Sequence, residues 1–177
     1  MHPSSVENMK LVRQKYLGYL EQCENPKVLD VAGIYDKPNK TYLRLFEDIS
    51  GLEWDICDIE HHPTCTIAMS GPYSVDCPDN HFDLVVSGQM LEHCENPFKS
   101  VAEMKRVVKK GSCIVLIVPS TGPHHTKVDG WRFLDDAFRF ICNDIGGIEI
   151  VADWIQRDAP DERSRKWSDH VFVGRKL

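Results

Sequence analysis

The chain has 177 residues, with 27 acidic and 21 basic side chains and a formal charge of −6, and is 42% hydrophobic and 27% charged. That length suits one domain able to bury roughly 70% of its unfolded surface without staples, and the composition excludes disorder. The acidic balance argues against a nucleic-acid partner, and no apolar run approaches the roughly 20 residues that would span a bilayer. The seven cysteines are an odd number with no CxxC pair, so they predict a reduced, cytoplasmic protein rather than a disulfide framework. The first residues, MHPSSVENMK, lack a signal peptide's apolar segment.

Residues 5 to 24 carry Val6, Met9, Val12, Tyr16, Leu20 and Cys23 at helical spacing, and Asn25-Pro26 ends that stripe. Lys27–Val31 (KVLDV) is short and apolar, a buried strand. Pro38–Ile49 predicts a helix, with Tyr42, Leu45, Phe46 and Ile49 on one face. Leu52–Ile59 predicts a second strand, and the His-, Pro- and Gly-rich stretch after it a loop with a short strand at Thr64–Ala68. Phe82–Ser87 (FDLVVS) is a buried strand, Asn96–Lys110 a helix stopped by Gly111, and Cys113–Val118 (CIVLIV) the most apolar strand. Asp135–Asp144 reads as a helix, and Ile148–Ile155 with His170–Gly174 as a closing antiparallel pair.

The predicted fold is therefore α/β: a Rossmann-like doubly wound sheet, mostly parallel with an antiparallel C-terminal strand pair, and helices on both faces. An N-terminal helix (1–25) leads into an α/β core (26–177), all within one domain. In such a sheet the ligand lies at the carboxyl ends of the strands. The residues there are Asp30-Val31-Ala32-Gly33-Ile34, then Asp58-Ile59, then Ser87-Gly88 through Glu92-His93, then the loop from Pro119 to Phe133 with His124, His125, Asp129, Trp131 and Arg132. Polar and titratable groups gathered at one edge of an apolar sheet mark a site.

In order and spacing these pieces resemble the class I S-adenosylmethionine-dependent methyltransferases, and most closely the small bacterial type 11-like family. The matching stretches are Val28-Leu29-Asp30-Val31, Asp58, Phe82-Asp83-Leu84-Val85, Leu91-Glu92-His93, Glu103-Met104-Lys105-Arg106-Val107, and Pro119 with His124, Asp129, Trp131, Arg132 and Phe133. The resemblance implies that S-adenosylmethionine is the cofactor, held by Asp30, Ala32, Gly33, Asp58, Ile59, Ser87 and Gly88, with Asp58 accepting bonds from the ribose hydroxyls. The family's glycines stand where this chain has Ala32 and Ile34, and no carboxylate stands near Ser70-Gly71, where the family often has one.

Among the remaining candidates, His124, His125, His93 and Asp129 are the catalytic set, since a neutral imidazole takes a hydroxyl proton near pH 7. Trp131 and Arg132 are the acceptor-binding pair; Arg132 either clamps an anionic substrate or pairs with Asp129 or Asp135. Asp55 rivals Asp58 in another register. His124, His125 and Asp129 lack a third His or Cys at ligand spacing, so no metal is expected. A G-x-G-x-x-G turn is absent, which argues against a nicotinamide enzyme. The expected activity is methyl transfer to a small-molecule or glycan-intermediate acceptor, at oxygen. The scant lid leaves an open site, or one that a second subunit of a homodimer completes. The alternative is a methyltransferase fold kept as an interaction module.

Overall fold

The structure, a computed structural model, describes residues 3–33, 41–158 and 161–177. Helix α1 (Pro3–Tyr16) and a 3-10 turn (Gly18–Gln22) precede strand β1 (Lys27–Val31), which leads to β2 (Glu53–Cys57). A hairpin of β3 (Met69–Gly71) and β4 (Ser74–Val75) follows, then β5 (Phe82–Gly88), α2 (Pro97–Val107) and β6 (Val108–Pro119). The chain closes with α3 (Ala137–Ile145), β7 (Ile148–Ile155), α4 (Glu162–Trp167) and β8 (Asp169–Lys176).

Six strands form one sheet in the order β2-β1-β5-β6-β8-β7, and β3–β4 form a separate two-stranded sheet. Strands β1, β2, β5 and β6 run parallel, so their carboxyl ends share one edge. Strand β8 runs antiparallel to both β6 and β7. The predicted doubly wound architecture with its antiparallel closing pair is the one observed.

Period-two alternation explains the two cores. Along β6, Ile114, Leu116 and Val118 face α2 and α3 and meet Val101, Met104, Phe138 and Ile141. Cys113, Val115 and Ile117 face the other way, onto Met9, Val12, Leu20, Tyr42 and Phe46. Both faces are dry, as a parallel sheet requires. Helix α2 starts where the sequence says: Asn96 caps it by accepting from the Lys99 amide at 3.1 Å, with Pro97 in the first turn. No helix among the described residues is long and apolar enough to cross a membrane.

Four local expectations change. The N-terminal helix stops at Tyr16 and the 3-10 turn at Gly18–Gln22 continues it. Of the helix predicted at 38–49, residues 38–40 lie outside the described residues, and 41–50 holds only a 3-10 turn at Leu43–Leu45. There the Thr41 hydroxyl takes the Leu43 amide at 3.1 Å and Arg13 takes the Leu45 carbonyl, diverting groups a helix would use. The short strand lies at Met69–Gly71 rather than Thr64–Ala68. Thr66 instead blunts the open edge of β2: its amide donates to the Ile56 carbonyl at 2.9 Å, and its hydroxyl accepts from the Ile56 amide at 2.9 Å. Finally, α2 ends at Val107 and β6 begins at once, with Gly111 at φ +80° inside the strand where its register on β5 shifts.

Arg106 ties the hairpin to α2. Its guanidinium donates to the Val75 and Cys77 carbonyls, both at 2.9 Å, and pairs with Glu103 and Asp79. Arg106→Ala is expected to destabilise the protein by about 2 kcal/mol, since bonds to charged groups contribute roughly 1.5–3 kcal/mol each and the side chain is partly solvated. Urea unfolding checks the magnitude, and hydrogen exchange checks that amides 69–77 open while those of β5 stay protected.

Candidate active site

Strand β1 has β2 on one side and β5 on the other, so a crevice opens at the carboxyl ends where the chain winds in opposite directions. The turn leaving β1 is built around a buried acid. Asp30 is 2% exposed; its Oδ2 accepts from the Thr41 hydroxyl at 2.7 Å and the Tyr42 amide at 3.4 Å. Burial pushes its carboxyl up to about 7, against the lowering effect of those bonds. A Cβ on Gly33 would lie 2.5 Å from Asp30 Oδ2, so glycine is required there by packing against the acid. Ala32 takes a left-handed φ of +66°, and its amide donates to the Cys57 carbonyl at 2.7 Å. Ile34 lies outside the described residues.

A cavity of about 330 Å³ opens between the ends of β1 and β2, the β3–β4 hairpin and α2, within the usual range of ligand sites. Ala32, Asp58 and Ile59 form its rim at the sheet, Met69 and Tyr73 its hairpin wall, and Met104 its helix wall. Ile59 is 57% exposed, a large apolar side chain held open toward this space. Asp58 accepts from the Glu60 amide at 3.1 Å, and its other oxygen lies 3.8 Å from His62. Asp55, the rival in the other register, is taken by the Thr66 hydroxyl at 2.7 Å at the sheet edge. Asp30, Gly33, Ser87 and Gly88 do not line this cavity. Asp30 and Gly33 shape the turn beneath it, and the Ser87 hydroxyl donates to the Val31 carbonyl at 2.9 Å, pinning β5 to β1.

At the other end His93 lines the cavity beside Val128. His93 Nδ1 donates to the Val128 carbonyl at 2.6 Å, and its ring lies 5.1 Å from that of His125. The Asp129 side chain, fully shielded from solvent, organises the loop. It accepts from Arg132 at 2.6 and 2.8 Å and from the amide and ring of His125 at 2.9 and 2.8 Å. The Arg132 guanidinium holds its carboxyl well below the usual range. Arg132 also donates to the carbonyls of Gly122, Trp131 and Pro123 and stacks over Trp167, so it fastens the loop; Asp135 pairs with Arg157 instead. Trp131 donates to the Cys94 carbonyl at 2.8 Å and flanks a separate groove between α2 and α3. His124 is exposed, away from the cavity. The fold thus brings His93, His125 and Asp129 together and leaves His124 aside. The sequence reading passed over Glu92, 1% exposed beside His93; its place in the Leu91-Glu92-His93 stretch was the available signal.

Residues 56–116, from the end of β2 into β6, match the methyltransferase domain family, and that span supplies most of the cavity walls. The chain has the class I S-adenosylmethionine-dependent methyltransferase fold. An S-adenosylmethionine-dependent methyltransferase of Aquifex aeolicus superposes with TM-score 0.63 at 15% identity, over all of both chains. The 1,6-didemethyltoxoflavin N1-methyltransferase of Burkholderia thailandensis, bound to its substrate and S-adenosylhomocysteine, superposes with TM-score 0.70 at 12% identity, over 98% of this chain and 79% of that one. An uncharacterised methyltransferase of Schizosaccharomyces pombe is 26% identical over 133 residues, 64% of this chain, and the chain spans 48% of that protein's length.

The buried acid of this methyltransferase fold makes stability pH-dependent. Asp30 is raised in the folded state above its unfolded value, so the native protein holds a proton there that the unfolded chain releases. Its contribution is therefore full below pH 4 and is lost as pH rises through about 7. In Asp30→Asn that loss disappears. Denaturant unfolding of the two proteins from pH 4 to 7 is expected to diverge by up to about 1.4 kcal/mol per pH unit, with the wild type falling relative to the variant.

Proposed function

We propose that the protein transfers a methyl group from S-adenosylmethionine to a hydroxyl oxygen of a small-molecule or sugar-containing acceptor. The observation that carries this reading is the cavity at the ends of β1 and β2, with Asp58 on its rim and apolar walls behind it. Its chemistry suits an adenosyl group: a carboxylate for the ribose diol, Ile59 and Met104 for the flat faces of the base, and a turn at Ala32 whose backbone approaches closely. S-adenosylmethionine, when bound, supplies a methyl group on a sulfonium centre. Asp58 accepts hydrogen bonds from the ribose and so fixes the nucleoside's register. Asp30 and Gly33 act as positioning residues that hold the turn in shape, and Ser87 keeps the ends of β1 and β5 in line.

The acceptor enters between the Gly88–His93 turn and the 122–132 loop, where His93 faces the cavity. Catalysis is mainly alignment of the acceptor oxygen with the methyl group. His93, oriented by its bond to Val128, meets the acceptor hydroxyl. The 1,6-didemethyltoxoflavin enzyme, which its structure shows with a heteroaromatic small molecule, supports an acceptor of that size class.

Isothermal titration with S-adenosylhomocysteine tests the proposal. The wild type is expected to bind one equivalent, and Asp58→Ala to weaken binding about 10- to 100-fold, the loss of a charge-assisted bond. No heat with the wild type at millimolar product would overturn the catalytic reading and leave the fold as an interaction module.

A further inference from the structure

At the acceptor end of the cavity His93 is flanked by Glu92 and His125, two residues that methyl transfer as described above does not use. Glu92 is 1% exposed, and its Oε2 has no hydrogen-bond partner among the described residues. Its Oε1 lies 3.6 Å from His93 Nε2. That is beyond a hydrogen bond, so a protonated imidazole would satisfy neither oxygen. An oxygen left this way among the described residues is open to a proton or to a bound cation.

Both neighbouring imidazoles are set to help. His93 gives its Nδ1 proton to the Val128 carbonyl at 2.6 Å, and His125 gives its own to Asp129 Oδ2 at 2.8 Å. Each bond fixes the tautomer whose lone pair sits on Nε2. Asp129 is in turn held by two bonds from Arg132. A ligating histidine backed by a carbonyl or a carboxylate, itself hydrogen-bonded, is the usual second layer of a metal centre. One ligand atom from each of Glu92, His93 and His125 lies within 4.8 Å of the others. The 3.6 Å separation of Glu92 and His93 is close to the edge of about 3.3 Å that bonds of roughly 2.05 Å impose on a tetrahedral centre.

We infer that Glu92, His93 and His125 bind one divalent transition-metal cation at the acceptor end of the cavity. Two imidazoles and a carboxylate suit zinc, cobalt, iron or manganese better than magnesium or calcium. Three protein ligands leave a position open, and His93 lines the cavity, so that position faces the acceptor. Resting on the function proposed above, the acceptor class narrows to molecules offering the metal an oxygen: a phenol, an enol or a vicinal diol. His93 is then a ligand, and the metal rather than a free imidazole makes the acceptor hydroxyl acidic, so that its proton passes to solvent water as the oxygen takes the methyl group from the sulfonium.

The test titrates Co²⁺ into the full chain after chelator treatment, read by calorimetry and by the visible absorption of bound cobalt. One cobalt per chain is expected, with Glu92→Gln and His125→Ala each weakening binding at least about tenfold, and His124→Ala unchanged. Zn²⁺ should raise the thermal midpoint of the wild type and leave that of His125→Ala where it was. Absence of saturable binding, binding that survives both ligand substitutions, or binding lost with His124→Ala overturns the site. S-adenosylhomocysteine titration of the same proteins separates the two proposals. Cobalt bound without the nucleoside sinks methyl transfer and leaves the metal site, while nucleoside bound without cobalt does the reverse.

Discussion

The arrangement depends on one buried acid. Asp30 sits near the end of an otherwise apolar strand, where an isolated carboxylate would be expensive. Its hydrogen-bond donors come from Thr41 and Tyr42, eleven and twelve residues on, so the acid ties that stretch of chain to the end of β1. Tyr42 is then fully buried, its hydroxyl meeting Ser5 of α1 at 2.6 Å. Phe46 follows it into the same core. On the other side the acid touches Gly33 and holds the turn that rims the cavity. One side chain thereby couples the N-terminal helix, the second core and the floor of the site.

A second carboxylate does the same work at the opposite end, by different means. Asp129 is ionised and saturated: Arg132 and His125 between them donate four bonds to it. Asp30 is raised toward neutrality by burial; Asp129 is held ionised by a guanidinium. The first suits a turn that must stay fixed beneath a ligand. The second suits an exposed loop, which has little apolar surface to bury and is kept in shape by charge-assisted bonds instead. Glu92 shares with Asp30 a carboxyl that burial pushes up to about 7, but its Oε2 has no hydrogen-bond partner among the described residues, and that sets it apart from the other two.

Much of this was legible in the chain. The strands β1 and β7 carry continuous or alternating apolar residues with clear stops, and both fall within the predicted limits. The register of Asp58 against Asp55 was not legible, because period-two reasoning alone allows either face. Thr66, eleven residues beyond Asp55, decides it by capturing that carboxylate at the sheet edge. The helix expected before Ile49 failed for a similar reason: its apolar spacing is real, but Thr41 and Arg13 offer its backbone other partners. At the acceptor end, adjacency misled. His124 and His125 are neighbours in sequence, yet the fold pairs His125 with Glu92 and His93, more than thirty residues earlier, and turns His124 to solvent.

The glycine missing at Ala32 has a physical resolution; Ile34 lies outside the described residues. A turn leaving β1 needs a residue at positive φ whose amide can reach β2, and Ala32 meets both conditions at φ +66° with its bond to Cys57. For an L-residue that conformation costs about 1–2 kcal/mol. It persists because Gly33 against Asp30 and the Cys57 carbonyl over-determine the path on either side. What the turn demands is a backbone shape, and glycine is only the cheapest way to reach it. The alanine methyl adds apolar surface to the rim of the cavity, where a glycine would leave bare backbone. The chain thus keeps the left-handed turn without a glycine at Ala32, and the strained residue itself becomes part of the cavity rim.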